Sequence, residues 1–107
     1  MLKKYRVDIT AAAELDTAAI WDYIAQDNPD AATAFILHLE EQIGTLERYP
    51  KRCPLVTENE VLGTAYRHLL FGNYRTIFKI VGARVIILRI IHGARLLDTE
   101  ILEGLRE

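Results

Sequence analysis

The stretch FGNYRTIFKIVGARVIILRIIHGAR, residues 71–95, contains the pattern from which most of the sheet can be predicted. Its apolar runs are broken at Gly72-Asn73 and at Gly82-Ala83, and both breaks fit the two-residue turns of tight hairpins. With the residues just before it, the stretch predicts three antiparallel strands: Tyr66–Phe71, Tyr74–Val81 and Arg84–His92. It also carries five Arg or Lys side chains and no acid, so the predicted sheet has to accommodate several cations.

Two helices are predicted upstream, after a short strand at residues 5–9 whose side chains alternate with period two. Thr10 is a good N-cap for residues 11–27, which are rich in helix formers. The pair Asn28-Pro29 supplies the cap and the first position of a second, amphipathic helix that ends at Tyr49-Pro50. Because the break between the helices is short, they should be antiparallel neighbours.

The other segments are a predicted loop over residues 50–64 and a tail over residues 96–107, which could form a short helix or fray. One stripe of the first helix is predicted to face the core. Its members are Ala12, Leu15, Ala19 and Tyr23, with Ile20 and Ile24 on its flank. The polar side chain of Asp16 falls inside this stripe, and its position needs an explanation.

Length and composition predict a single domain over residues 1–107 with one two-layer core. The lone cysteine, Cys53, excludes an internal disulfide and suits a reducing cytosol. Charges interrupt every apolar run before it could span a bilayer, and no signal-peptide core follows the N-terminus. We therefore expect a cytoplasmic protein with no membrane association.

Charge is segregated along the chain. Residues 7–47 contain nine acids and no Lys or Arg, whereas residues 61–97 contain six bases and no acid. If the two segments form different layers, the domain has an acidic and a basic face, which would favour a charged partner. Alternatively, opposite charges pair across the layers.

Strict alternation in the three strands assigns the side chains to two faces. The face with the larger apolar side chains should pack on the helices, and the other should be open and present His68, Arg75, Lys79 and His92 together. Arg89 falls on the buried face, where an unpaired charge would be costly. We predict that it contacts Asp16 or, failing that, Asp22 or Glu14.

The residues alone leave three interpretations of the Arg/His face open. It could hold a phosphodiester and protonate a leaving group, as a metal-free ribonuclease requires. It could be a docking surface for an acidic partner, or it could simply keep the sheet soluble. The scattered histidines and single cysteine predict no metal site, and the absence of a phosphate-binding motif leads us to expect no cofactor.

Four stretches together resemble the RelE/ParE superfamily of toxins from type II toxin–antitoxin modules: IWDYIAQDNPDAATAF, LERYPKRCP, YRHLLFGNYRTIFKI and VIILRIIHGAR. They occur in the expected order and cover nearly the whole chain. The resemblance implies a RelE/ParE-like α+β fold of order β-α-α-β-β-β. In that fold an antiparallel helical hairpin packs on one face of a mainly antiparallel four-stranded sheet.

The superfamily has two activities. RelE-like members cleave mRNA on the ribosome, and ParE-like members bind DNA gyrase without a known catalytic set. For a ribonuclease the resemblance implies Arg75, His92 and Arg95 as catalytic residues. The mildly acidic chain and the stretches DYIAQDNP and ILRIIHGAR are closer to the ParE branch. We therefore expect a gyrase inhibitor, with the following target-binding residues: Arg75, Lys79, Arg89, His92, Arg95, Leu96 and Leu97.

Either activity implies a cognate antitoxin that wraps the toxin in a hetero-oligomer and brings it to operator DNA. An exposed sheet edge and apolar grooves beside the helices would suit such a partner. A third possibility is a superfamily member that has lost toxicity and serves only as an antitoxin-binding scaffold. Only the ribonuclease alternative, whose targets are the ribosome and its mRNA, makes the protein an enzyme.

Overall fold

The computed structural model describes residues 4–98, which form four strands and three α-helices. In chain order these are β1 (Arg6–Ile9), α1 (Ala11–Ala25), α2 (Pro29–Gly44), α3 (Asn59–Leu62), β2 (Arg67–Phe71), β3 (Tyr74–Val81) and β4 (Arg84–His92). The strand order in the sheet is β1-β4-β3-β2. Strands β2, β3 and β4 are antiparallel, whereas β1 pairs in parallel with β4 along one edge. The predicted α+β fold is confirmed, with a mixed sheet. Most of the predicted tail lies outside the described residues.

Local signals in the sequence explain most of the element boundaries. The Thr10 hydroxyl accepts a hydrogen bond from the Ala13 N–H at the start of α1, and the Asn28 side chain accepts one from Ala31 at the start of α2. Both predicted hairpin turns are present, since Phe71 pairs with Tyr74 and Val81 pairs with Arg84.

The chain leaves α2 earlier than the predicted end at Tyr49-Pro50. The helix ends at Gly44 and continues as a 3₁₀ turn over Thr45–Glu47. Tyr49 then takes the left-handed conformation, with φ of 50°. A residue before proline disfavours the helical region, and this turn carries Pro50 into the core, where it is fully buried.

Helix α1 exposes the stripe that was predicted to face the core. Leu15 is 71% exposed and Tyr23 is 69% exposed, while Ala13 and Ile20 are buried instead. The helix is apolar around most of its circumference, so periodicity alone could not select its buried side. Polar contacts set the rotation, because the Thr10 hydroxyl also donates to the Leu88 carbonyl and Asp16 bonds to β4.

The two faces of the sheet bury separate apolar clusters. On one face, here called the helix side, Phe78, Val85, Ile87 and Ile90 pack with residues of α1 and α2. The other face, here called the loop side, buries the second cluster, which consists of Val56, Ile77, Leu88, Ile91 and Leu97. The predicted open face is therefore wrong, because residues from the 50–64 segment and the end of the chain cover much of it.

A β-bulge explains why strict alternation misplaced part of β4. Ile77 pairs with Arg89, but the next residue, Phe78, pairs with Ile87. The extra residue in β4 shifts the alternation beyond it. Ile90 therefore packs on the helix side and Ile91 on the loop side, the reverse of the prediction.

Candidate target-binding surface and the buried ion pairs

The predicted contact between Arg89 and Asp16 is confirmed. Arg89 Nε lies 2.7 Å from Asp16 Oδ2, and its Nη2 lies 2.8 Å from Oδ1, so the guanidinium grips the carboxylate with two parallel hydrogen bonds. Asp16 Oδ2 also accepts the Ile90 N–H at 2.9 Å. The hydrogen bonds that Arg89 donates to Asp16 raise the pKa of Arg89. This pair joins α1 to β4 at the point where the bulge disturbs the strand.

Arg75 is buried on the loop side and is not presented to solvent as predicted. Only 6% of the residue is exposed, and its guanidinium forms an ion pair with Glu58. One terminal nitrogen contacts both Glu58 Oε2 and, at 2.7 Å, the Arg95 carbonyl oxygen. The other lies 3.2 Å from Glu58 Oε1. Hydrogen bonding from Arg75 outweighs burial and lowers the pKa of Glu58 to about 2.

His68 lies beside this ion pair, with Nδ1 3.4 Å from Arg75 Nη1. Burial lowers its pKa below the ordinary value, and the positive charge of Arg75 lowers it further. The lowered pKa favours the neutral form of His68, whose Nδ1 can then accept a hydrogen bond from the guanidinium. His68 and Arg75 are neighbours, as predicted, but they are largely buried rather than exposed.

The same carboxylate holds the end of the described chain, a stretch over residues 93–98 here called the C-terminal segment. The segment begins with a bond from the Gly93 N–H to the Asn73 carbonyl, 2.7 Å long. Further along, Leu97 donates its N–H to Glu58 Oε2 at 2.8 Å and buries its side chain. Between these anchors Arg95 and Leu96 are exposed, and Leu96 is 72% exposed.

His92 lies on the helix side, away from the Arg75 side chain. Its ring packs edge-on against Tyr74 at a centroid distance of 5.7 Å, and Tyr74 packs on the helix-side core. Its Nδ1 accepts the Ala94 N–H at 3.1 Å, so the neutral ring carries its proton on Nε2. The expected common surface of Arg75 and His92 is wrong, because neighbouring strands direct the two side chains to opposite faces.

Most of the remaining cations of the sheet form ion pairs or hydrogen bonds. Arg84 binds the Asp8 carboxylate at 2.9 Å, and this hydrogen bond is the main reason that the pKa of Asp8 is lowered. Arg67 donates to the carbonyl oxygens of Lys51 and Cys53. Lys79 lines a depression on the loop side that also includes Asp8 and Arg84. Arg75, Arg84 and Arg89 thus each pair with an acid from the earlier part of the chain, which supports the interpretation that opposite charges pair across the structure.

Sequence reasoning missed Glu58, because residues 50–64 were treated only as a loop. A signal was present, however. Residues 61–97 contain no acid, so a buried arginine in β3 must take its carboxylate from outside that span. Glu58 and Glu60 are the acids that immediately precede it. The neighbouring Asn59 orders the same segment by bonding both the N–H and the carbonyl of Tyr66.

Other chemistries receive no support from residues 4–98. That part of the chain contains no group of three His, Cys, Asp or Glu side chains placed to hold a metal ion. The Cys53 thiol is buried, and burial raises its pKa, which makes it a poor nucleophile. Among the described helices, none has the length and apolar character needed to cross a membrane.

Comparison with known proteins agrees with this fold. A chromosomal ParDE toxin–antitoxin system from P. aeruginosa contains a chain that is 25% identical, with a TM-score of 0.69. The alignment covers 84% of this chain and 97% of the other. The toxin–antitoxin complex RelBE2 from Mycobacterium tuberculosis contains a chain that is 26% identical, with a TM-score of 0.56, and the coverages are 89% and 98%.

No curated protein matches the sequence. The profile of a toxin family, described as the ParE toxin of the type II toxin-antitoxin system parDE, matches residues 7–97. That match includes every strand and helix described above, except the first residue of β1, and most of the C-terminal segment. The chain therefore belongs to the ParE toxin family, within the RelE/ParE superfamily.

Proposed function

We propose that this protein is a growth-inhibiting toxin that binds DNA gyrase and is neutralised by a cognate antitoxin. The proposal rests on the burial of Arg75 and on its pairing with Glu58. Its guanidinium is buried and held by Glu58, and His92 lies on the other face of the sheet. A ribonuclease needs a cation and a proton donor beside one phosphodiester. The arrangement therefore favours binding of a target over cleavage of RNA.

The surface proposed for the target is the exposed part of the C-terminal segment. Arg95 offers a cation and Leu96 offers an apolar side chain that is 72% exposed, while Leu97 anchors the backbone beneath them. A mixed apolar and cationic projection is suited to a protein partner. Arg75 and Leu97 support this surface, because Arg75 bonds the Arg95 carbonyl and the Leu97 side chain is buried, whereas Arg89 is paired with Asp16 of α1.

The antitoxin is proposed to bind elsewhere, along the exposed stripe of α1. Leu15 and Tyr23 lie at helical spacing on this stripe, and the neighbouring Glu14 and Asp22 are acidic. An amphipathic helix with basic flanks would bury the stripe and complement the charges. The outer edge of β2 is bridged by Leu55 at Arg67, so an added strand would pair with the other end of β2, near Leu70, which is 63% exposed. The toxin would then reach operator DNA only as part of this hetero-oligomer.

The test is to add the purified protein to a gyrase supercoiling assay and, in parallel, to ribosomes carrying mRNA. The proposal expects inhibition of supercoiling and intact mRNA. The double variant R95A/L96A should lose inhibition while it still binds the antitoxin. Cleavage of ribosome-bound mRNA that disappears in His92→Ala would instead support the ribonuclease alternative. A chain that causes no growth inhibition when induced would be an antitoxin-binding scaffold.

A further inference from the structure

We infer that Glu58 and Arg75 are positioning residues for the target-binding surface. They form a clasp, defined here as the Glu58–Arg75 ion pair together with the Arg95 carbonyl and the Leu97 N–H. The inference rests on the proposed function, in which Arg95 and Leu96 contact the target. It assigns to Glu58, which lies outside that surface, a role in setting its geometry.

The clasp satisfies the polar groups of three separate segments at once. Arg75 comes from the middle strand β3, Glu58 precedes α3, and the two backbone groups belong to the C-terminal segment. The side chains of Glu58 and Arg75 are only 10% and 7% exposed. Charged hydrogen bonds in such a dry environment are strong and directional. Backbone groups bonded to them are therefore fixed relative to the sheet.

The bonded groups flank the two exposed residues of the segment. Arg75 holds the Arg95 carbonyl, and Glu58 holds the Leu97 N–H, which brackets the peptide units on both sides of Leu96. Burial of the Leu97 side chain against Val56, Ile77 and Leu88 adds an apolar anchor. With both flanking peptide units fixed, the Leu96 side chain has one direction available, and it points into solvent.

A segment held in its binding conformation loses little conformational entropy when the target binds. Without the clasp, the segment would lose the bonds that hold its peptide units on both sides of Leu96, and the target itself would have to order this part of the chain. Loss of the clasp should therefore weaken target binding even though neither charged side chain touches the target. This is the property that separates a positioning residue from a contact residue.

The experiment compares Glu58→Ala and Glu58→Gln in the full-length chain. Glutamine keeps an oxygen that can accept the Leu97 N–H, whereas alanine removes every acceptor. Amide hydrogen exchange over residues 93–98 should accelerate at least tenfold in Glu58→Ala and less than threefold in Glu58→Gln. The induction level needed for half-maximal growth inhibition should rise at least tenfold in Glu58→Ala and be largely restored in Glu58→Gln.

Ile43→Ala is the matched control for a general loss of stability. Ile43 is a buried residue of α2 on the helix side, so the variant destabilises the fold without touching the clasp. It should leave exchange over residues 93–98 within threefold of the wild type and should leave growth inhibition unchanged at equal protein level. Equal acceleration in Ile43→Ala and Glu58→Ala would overturn the inference, because the segment would then open only with the whole domain.

The two hypotheses fail in different ways. Faster exchange in Glu58→Ala with full growth inhibition would refute the positioning role and leave the toxin function standing. A wild type that does not inhibit supercoiling, or an R95A/L96A variant that remains fully toxic, would refute the proposed target or its surface. The exchange comparison would still decide whether Glu58 and Arg75 hold the segment, since it requires no target.

Discussion

Two of the ion pairs formed within residues 4–98, Arg89–Asp16 and Arg75–Glu58, are largely shielded from solvent and have similar chemistry but different structural settings. Arg89–Asp16 joins α1 to β4, and both partners belong to long, regular elements. Arg75–Glu58 joins β3 to a loop and to the C-terminal segment. We expect the first pair to separate only when α1 moves away from β4. The second can open locally, so the same kind of bond stabilises the fold in one place and orders a short segment in the other.

The largest effect on stability should follow from Asp16→Ala. The change removes the carboxylate that accepts two hydrogen bonds from the Arg89 guanidinium and one from the Ile90 N–H. Breaking one partner of a buried pair costs about 3 kcal/mol in the free energy of unfolding. Urea denaturation of the purified variant measures this loss. Arg84→Ala, which breaks an exposed pair with Asp8, is the control and should leave the midpoint nearly unchanged.

Glu58→Ala should cost less, about 1–2 kcal/mol, although its pair is the more buried of the two. The reason is that residues 93–98 can move away and let water solvate the Arg75 guanidinium. This hydration reduces the free-energy cost of leaving the charge without its carboxylate. The same urea titration compares the two variants directly. A loss equal to or greater than that of Asp16→Ala would mean that the loop side is as rigid as the helix side.

A smaller, pH-dependent effect should distinguish the wild type from Glu58→Gln. The folded-state pKa of Glu58 is about 2, below its ordinary value of 4.5. A carboxyl with a lowered pKa stabilises the fold fully above the unfolded value and loses this contribution as pH falls towards the folded value. The thermal midpoint of the wild type should therefore approach that of Glu58→Gln between about pH 4.5 and about pH 2. A difference that stays constant across this window would show that the charge of Glu58 contributes nothing.

The smallest effect on stability is expected at the exposed stripe of α1. Leu15→Ser should change the free energy of unfolding by about 0.5 kcal/mol or less, because the side chain is 71% exposed. Its affinity for the antitoxin should nevertheless fall at least tenfold, as measured by isothermal titration calorimetry. Glu40→Ser, on the exposed surface of α2, is a control for a surface substitution. If Leu15→Ser binds the antitoxin as tightly as the wild type, the antitoxin does not use this stripe.

The sequence predicted the fold well where local signals were decisive. Helix starts are set by the caps Thr10 and Asn28, and strand reversals are set by the two hairpin turns. Both depend only on residues that are adjacent in the sequence. The Arg89–Asp16 contact was also predictable, because each residue was a polar exception on an apolar surface and the two exceptions could satisfy each other.

Prediction failed where long-range packing decides the outcome. No local feature of the β4 sequence predicts the bulge, so Ile90, Ile91 and His92 were assigned to the wrong faces. Helix α1 is apolar around most of its axis, so periodicity could not identify its buried side. Leu15 was therefore wrongly predicted to lie in the core. Arg75 was taken as an exposed cation because its partner Glu58 lies in a segment with no periodic pattern. The candidate site was therefore located in the correct part of the chain, but its exposure was misjudged.

The most direct test of the contrast between the two ion pairs is the exchange rate of the Leu97 amide, followed by NMR in Asp16→Ala and Glu58→Ala. We expect acceleration of at least tenfold in Glu58→Ala and less than threefold in Asp16→Ala, despite the greater loss of global stability in the latter. Equal acceleration in both variants, or faster exchange in Asp16→Ala, would contradict it, because the C-terminal segment would then be ordered by the domain as a whole.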